Sequence, residues 1–204
     1  LLGAVARARA SMPTGVSWAR GSVEQIFAKA KKDKRPLFLY WGAVWCPPCN
    51  QTKKTVFSTP QFQRAVKDFV PVYLDGDGKD AQKWGEKLKT AGYPTMLIMT
   101  PDFVEIARLP MGVDADEYVR LMRAALVKMR PLKAVLEEAL AGKAQAEDWE
   151  QLAAHSWSQD EGITVATEDR VSTFTRLLAA VPEAAKVARS RLLLLLALEK
   201  GATM

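Results

Sequence analysis

Cys46 and Cys49 are the only two cysteines in the 204-residue chain, and they stand three positions apart as Cys46-Pro47-Pro48-Cys49. Two thiols at this spacing can close a disulfide with one another and reopen it, which is the chemistry of thiol–disulfide exchange. The exchange needs one sulfur as an attacking thiolate. A thiol at a helix N-terminus meets free amide groups and the helix dipole, and its pKa falls from about 8.5 into the range of roughly 3.5–7.5. Cys46 is therefore assigned as the nucleophile. Cys49, one turn along and more deeply placed, resolves the mixed disulfide by attacking Cys46. Trp45 shields the pair and forms part of the contact surface.

Other uses of the pair lack partners. A structural zinc site needs four ligands, and the chain adds only the lone His155, far along the sequence. Haem attachment needs His directly after the second cysteine, where Asn50 stands. A copper site could recruit Met96, Met99 or Met111, but methionine in a strand is more often core packing. Asp75, Asp77 and Glu86 match positions one, three and twelve of a calcium loop, yet Lys79 and Asp80 stand where an oxygen ligand and a glycine belong. That segment reads as a strand-exit turn. His155, beside Trp157, has no cysteine or carboxylate at ligand spacing and is given a packing or surface role. No metal is expected, and no cofactor beyond the redox-active Cys46–Cys49 disulfide.

The elements that must position the cysteines follow from hydrophobic spacing. Ser22 and Gln25 have the form of a capping box, and Val23, Ile26, Phe27 and Ala30 recur at helical spacing behind it. Lys31, Lys32, Lys34 and Arg35 suit the solvated last turn of that helix and its exit. Residues 36–44 (PLFLYWGAV) form a short apolar run, read as a buried central strand leading straight into the cysteines. A helical stretch to about Phe57, a break at Thr59-Pro60 and a second helical stretch through Phe62, Val66 and Phe69 follow. Residues 70–74 make a strand, with Pro71 tolerable near its start, and Ala81, Trp84 and Leu88 mark a helix ending near Gly92. Residues 95–100 and 104–109 flank Pro101-Asp102 as an antiparallel hairpin. Asp114 and Glu117 open a long helix that Pro131 interrupts. The order is helix, strand, helix, strand, helix, hairpin, helix, which is an α/β layered fold with helices on both faces of a central mixed sheet. Beyond Pro131 the pattern is helical only, over residues 132–140, 148–157, 167–181 and 182–200.

Trp45-Cys46-Pro47-Pro48-Cys49, with Gly92-Tyr93-Pro94-Thr95 downstream, resembles the thioredoxin superfamily over residues 20–130. Within it, the Trp18 region, Phe57-Ser58-Thr59-Pro60 and residues 70–75 are similar to secreted bacterial thioredoxin-like disulfide reductases and isomerases. The resemblance implies a thioredoxin-like fold with Pro94 as a cis-proline facing the sulfurs and with the Tyr93 backbone offered to an extended substrate strand. Two departures stand out. Many thioredoxins carry a buried Asp six positions before the first cysteine to take the resolving thiol's proton; Tyr40 stands there instead, as a core or network residue. Pro47 and Pro48 also lack amide hydrogens, so fewer donors reach the Cys46 thiolate. A less stabilised thiolate disfavours the reduced form, which points to a reductase or isomerase rather than a strong oxidant.

Composition and the chain ends set the remaining expectations. Hydrophobic residues make up 49% and charged residues 25%, a balance that excludes disordered, collagenous and coiled-coil readings. The 29 Lys+Arg against 23 Asp+Glu leave a net charge of +6, but the basic residues are scattered, so no nucleic-acid partner is expected. Three regions are expected: 1–20, a leader or signal-peptide remnant; 21–130, the thioredoxin-like domain; and 131–204, an all-helical extension. Ala6-Arg7-Ala8 or Ala8-Arg9-Ala10 supplies the small-x-small cleavage pattern of a secretory signal. The run of Leu192 to Leu196 is too short for a membrane span, but as a helix apolar on every face it should be covered on every face. Confinement of both cysteines to one motif suits an oxidising, extracytoplasmic compartment, the bacterial periplasm. The expected activity is reduction or isomerisation of protein disulfides, with disulfide-bearing proteins and an unidentified electron donor as partners. The alternative is a redox-inactive thioredoxin-fold binding or chaperone module whose helical extension docks a partner.

Overall fold

The computed structural model describes residues 12–90, 92–160 and 162–202. The proposed leader remnant falls largely outside the described residues. The chain opens with α1 (Val23–Lys32), where Ser22 and Gln25 satisfy one another's backbone amides as a capping box. It continues through β1 (Leu37–Gly42) and α2 (Pro47–Thr52), which runs on as a π-helical turn over Lys53–Phe57. Next come α3 (Pro60–Ala65), β2 (Val70–Asp75), α4 (Ala81–Leu88), β3 (Thr95–Met99) and β4 (Glu105–Leu109). Five further helices follow: α5 (Ala115–Lys128), α6 (Leu132–Leu140), α7 (Ala146–Ala154), α8 (Arg170–Ala180) and α9 (Lys186–Ala202).

The strands form one mixed sheet in the order β2-β1-β3-β4, with β1 parallel to β2, and antiparallel pairing between β1 and β3 and between β3 and β4. β1 is central and every one of its residues is buried. Phe38 and Tyr40 pack with Met96 and Ile98 against α3 and α5, while Leu37, Leu39 and Trp41 pack with Val72 and Leu97 against α1 and α4. Helices on both faces explain why β1 reads as a continuous apolar run rather than an alternating one. Pro71 is accommodated because β2 lies at the sheet edge.

β4 forms the other edge, and the helical extension covers it. The Gln151 side chain donates to Ile106 O at 2.8 Å, and the Ser156 amide donates to Arg108 O at 3.0 Å, so carbonyls on the open side of β4 find partners. α6 to α9 enclose a core of their own around Trp149, Leu152, Trp157, Phe174 and Leu177.

Four boundaries or environments differ from expectation. α4 stops at Leu88, short of Gly92: Lys89 turns left-handed as its cap, and the Arg108 guanidinium donates to the Leu88 and Lys89 carbonyls at that end. α7 ends at Ala154 instead of Trp157; His155 turns extended, and Trp157 rolls inward to donate its indole N–H to Leu152 O at 2.9 Å. α9 begins at Lys186, after a turn at Pro182. The leucine run is covered on one face only: Leu192 is buried, whereas Leu193, Leu194 and Leu198 stay exposed because α6 to α8 meet a single side of α9. Among the described residues, no helix is long and apolar enough to cross a membrane.

Candidate active site

β1 delivers the chain to the cysteines. Cys46 caps α2, and Pro47 and Pro48 fill its first two positions, where a helix leaves its amides unpaired in any case. The third amide, that of Cys49, points at Cys46 Sγ from 3.2 Å. Cys46 and Cys49 are joined as a disulfide, with their Cα atoms 5.2 Å apart. Both residues are buried, while Val44, Trp45, Pro47 and Pro48 around them are exposed.

Strand register brings two more loops to this end of the sheet. Trp41 opposite Thr95 sets the start of β3 beside the end of β1, and Met96 opposite Leu109 sets the end of β4 there too. The segment before β3 carries the Tyr93–Pro94 peptide bond, which is cis. The Tyr93 ring lies 4.4 Å from Trp41 and meets Trp45 edge-on at 5.7 Å. Its hydroxyl donates to Gly76 O at 3.3 Å, and the Trp45 indole N–H donates to Asp77 Oδ1 at 3.0 Å. Position 76 must be glycine, because a Cβ there would enter the Tyr93 ring. Trp45 is nonetheless 63% exposed. With Val44 and the two prolines it makes an apolar rim around the buried sulfurs.

Nearby ionisable groups are tuned chiefly by burial. Tyr40, six positions before Cys46, is fully buried, and burial pushes its hydroxyl well above the usual phenol range, with Tyr73 and Tyr118 adding to the effect. The hydroxyl makes no hydrogen bond among the described residues, and the ring packs edge-on against Phe57 at 4.9 Å. Tyr40 is a core residue that stays protonated. Burial also raises the Tyr93 hydroxyl, reinforced by Asp77 and Asp75. Burial lowers the Lys53 ammonium, which sits on the α2 side beside Asn50 and is partly offset by Asp75.

Trp45, Cys46, Pro47, Pro48, Cys49, Tyr93 and Pro94 therefore meet at one end of the sheet. The methionines do not gather: Met96 and Met99 lie in the cores on opposite faces. Asp75 and Asp77 form the strand-exit turn, with the Gly78 amide donating to Asp75 O at 2.9 Å and the Asp77 amide to Asp75 Oδ1 at 3.2 Å. One expectation is corrected. His155 does have a carboxylate partner: its Nε2 lies 2.8 Å from Asp160 Oδ2, both side chains are buried, and the 3-10 turn Trp157–Gln159 folds one back onto the other.

Three residues near the site carried no motif. Asp77, which orients Trp45, looks like any turn aspartate. Arg108 occupies a strand position where a charge normally faces water, yet its side chain is fully buried and pairs with Glu105 at 2.8 Å. Gln159, in the extension, donates to Pro94 O at 2.9 Å. Nothing in local spacing signals either of these contacts.

Comparison with known proteins agrees with this arrangement. A family model described as thioredoxin-like matches residues 18–101. The thiol:disulfide interchange protein DsbD of Pseudomonas fluorescens is 34% identical over 88 residues, which are 41% of this chain and 15% of that protein. DsbD of Escherichia coli is 30% identical over 105 residues, 50% of this chain and 18% of that protein. The matched part is thus less than a fifth of either relative's own length. Among solved structures, a thioredoxin from Thermus thermophilus shares the fold, with a TM-score of 0.50, 24% identity, and coverage of 55% of this chain and 89% of that one. Residues 18–101, with the Cys46–Cys49 disulfide at the start of α2, are thioredoxin-like, and β4 and α5 complete the same layered fold.

Proposed function

We propose that the protein is a thiol–disulfide oxidoreductase that reduces or isomerises disulfides in other proteins, working in an extracytoplasmic compartment. The observation that carries this reading is the Cys46–Cys49 disulfide set at a helix start beneath an exposed apolar rim, with the Tyr93–Pro94 segment alongside. The name of the relatives, thiol:disulfide interchange protein, supports the same chemistry. Both cysteines lie in the one motif, so no spare thiol can mispair in an oxidising environment.

In the reduced protein the Cys46 thiolate attacks one sulfur of a substrate disulfide. A mixed disulfide forms and the other substrate sulfur leaves as a thiolate. The Cys49 thiol loses its proton and attacks Cys46 Sγ, which closes the Cys46–Cys49 disulfide and releases the second substrate thiolate. Two electrons pass from the dithiol to the substrate, and an external reductant must restore the pair. Trp45, Val44 and the two prolines supply apolar contact with the substrate polypeptide, and Tyr93 presents backbone to it.

The test is reduction of insulin with dithiothreitol as electron donor, comparing the wild type with Cys46→Ser. Turnover above the dithiothreitol background in the wild type, abolished in Cys46→Ser, is the expected result. A wild type no faster than background, or a fully active Cys46→Ser, overturns the reading in favour of a redox-inactive binding module.

A further inference from the structure

Pro94 has no N–H, so its carbonyl is the only polar backbone group it offers. That carbonyl is held by the helical extension, 65 positions away in sequence, through the Gln159 Nε2 donor at 2.9 Å. The donating amide is itself oriented, because Ser156 Oγ donates to Gln159 Oε1 at 3.1 Å and so sets which end faces Pro94. The Gln159 backbone is fixed as well: its carbonyl accepts from Arg108 Nη1 at 2.8 Å. The same Arg108 donates to Leu88 O at 3.1 Å, and Asp160 bridges to Thr90. The segment from the end of α4 to Pro94 is thus gripped at both ends by one turn of the extension. Gln159 is 5% exposed and Asp160 fully buried, so these bonds lie out of water's reach. Between the grips, the Tyr93 N–H and C=O make no backbone hydrogen bond among the described residues.

We propose that Gln159 is a positioning residue for substrate polypeptide: by holding the Pro94 carbonyl, it places the unpaired Tyr93 backbone where an extended segment of a disulfide-bearing protein can pair with it. This rests on the oxidoreductase reading above. Gln159 touches neither sulfur, so it acts on polypeptide recognition and leaves the intrinsic reactivity of the dithiol alone. A substrate too small to pair with Tyr93 does not sense it.

The experiment compares wild type, Gln159→Met and Gln159→Glu in the full chain on two substrates: insulin, with dithiothreitol as reductant, and the small disulfide 5,5′-dithiobis(2-nitrobenzoate), reduced in a single turnover by pre-reduced protein freed of dithiothreitol. Both substitutions keep the side chain's length and remove the donor. The expected result is a fall of about tenfold in kcat/KM for insulin, carried by KM, with the small-disulfide rate and the reduction potential of the pair within about twofold and unshifted. Ser156→Ala, which frees the amide to rotate without removing it, gives a smaller loss of the same kind and serves if either Gln159 variant fails to fold. Unchanged KM for insulin in the folded variants, or equal losses on both substrates, overturns the inference while leaving the oxidoreductase reading intact. A wild type that reduces neither substrate defeats that reading and this inference together.

Discussion

Among the described residues a single backbone amide, that of Cys49, reaches Cys46 Sγ, because prolines occupy the two helix positions before it. Each amide aimed at a thiolate stabilises the reduced form, and a hydrogen bond to a charged group is worth about 1.5–3 kcal/mol. Pro48→Ala restores one N–H at the second helix position. Its reduction potential is expected to rise by about 30–60 mV, since 30 mV corresponds to about 1.4 kcal/mol for a two-electron couple. Equilibration against glutathione, followed by Trp45 fluorescence, reads this directly; an unchanged or lower potential sinks the donor-count argument. At this scale the placement of the cysteines and prolines at a helix start was legible from spacing alone. Asp77 and Gly76 were not, because their roles depend on where the Trp45 indole and the Tyr93 ring come to rest.

Among the elements, β4 shows most clearly how burial overrides pattern. The charge of Arg108 argues for solvent, yet the residue shares a strand face with buried Ile106 and is enclosed, paired with Glu105 and donating to the carbonyls of Leu88, Lys89 and Gln159. It meets the end of α4, holds β4 and seats the extension in a single contact set. Replacing Arg108 with Met leaves three carbonyls and a half-buried carboxylate unpaired. Loss of one partner of a buried pair costs about 3–5 kcal/mol, so Arg108→Met should lower the unfolding free energy by an amount of that order, read as a lower urea midpoint. A midpoint equal to wild type would show that water replaces the guanidinium at no penalty. The strands, hairpin and capped helices were readable because a two- or 3.6-residue period is local. The helix ends at Leu88 and Ala154 carry side-chain contacts that no local period shows, Arg108 on the Leu88 and Lys89 carbonyls in one case and Trp157 turned back onto Leu152 O in the other.

In the whole molecule, an ion-pair cluster joins α5 to the extension. Glu117 accepts from Arg120 at 2.8 Å and from Arg191 of α9 at 2.9 Å, and Arg120 reaches Glu150 of α7 at 2.7 Å. The Arg120 guanidinium, aided by Arg191 and partly opposed by burial, holds the Glu117 carboxyl down at about 2 against its ordinary 4.5. A depressed folded-state pKa contributes stability that is complete above the unfolded value and is lost as pH falls toward the folded one. The clamp is therefore expected to weaken between pH 4.5 and about 2. The loss is about 1–2 kcal/mol once the partial exposure of both arginines is allowed for. Glu117→Gln should lower stability at pH 7 and flatten its decline in acid, as followed by urea denaturation at pH 7 and pH 3. An acid decline as steep as that of the wild type would place the effect in other carboxylates.

The dithiol chemistry, the α/β order and the helical nature of the extension were determined by the sequence by itself, since each depends on residue types at short, fixed spacings. The tertiary structure alone decided that Gln159 meets Pro94, that Arg108 is buried, that His155 finds Asp160, and that the leucine run of α9 is covered on one face only. Those outcomes belong to side chains from separate elements that must satisfy buried carbonyls and fill shared space, and such matches are settled only when the elements pack.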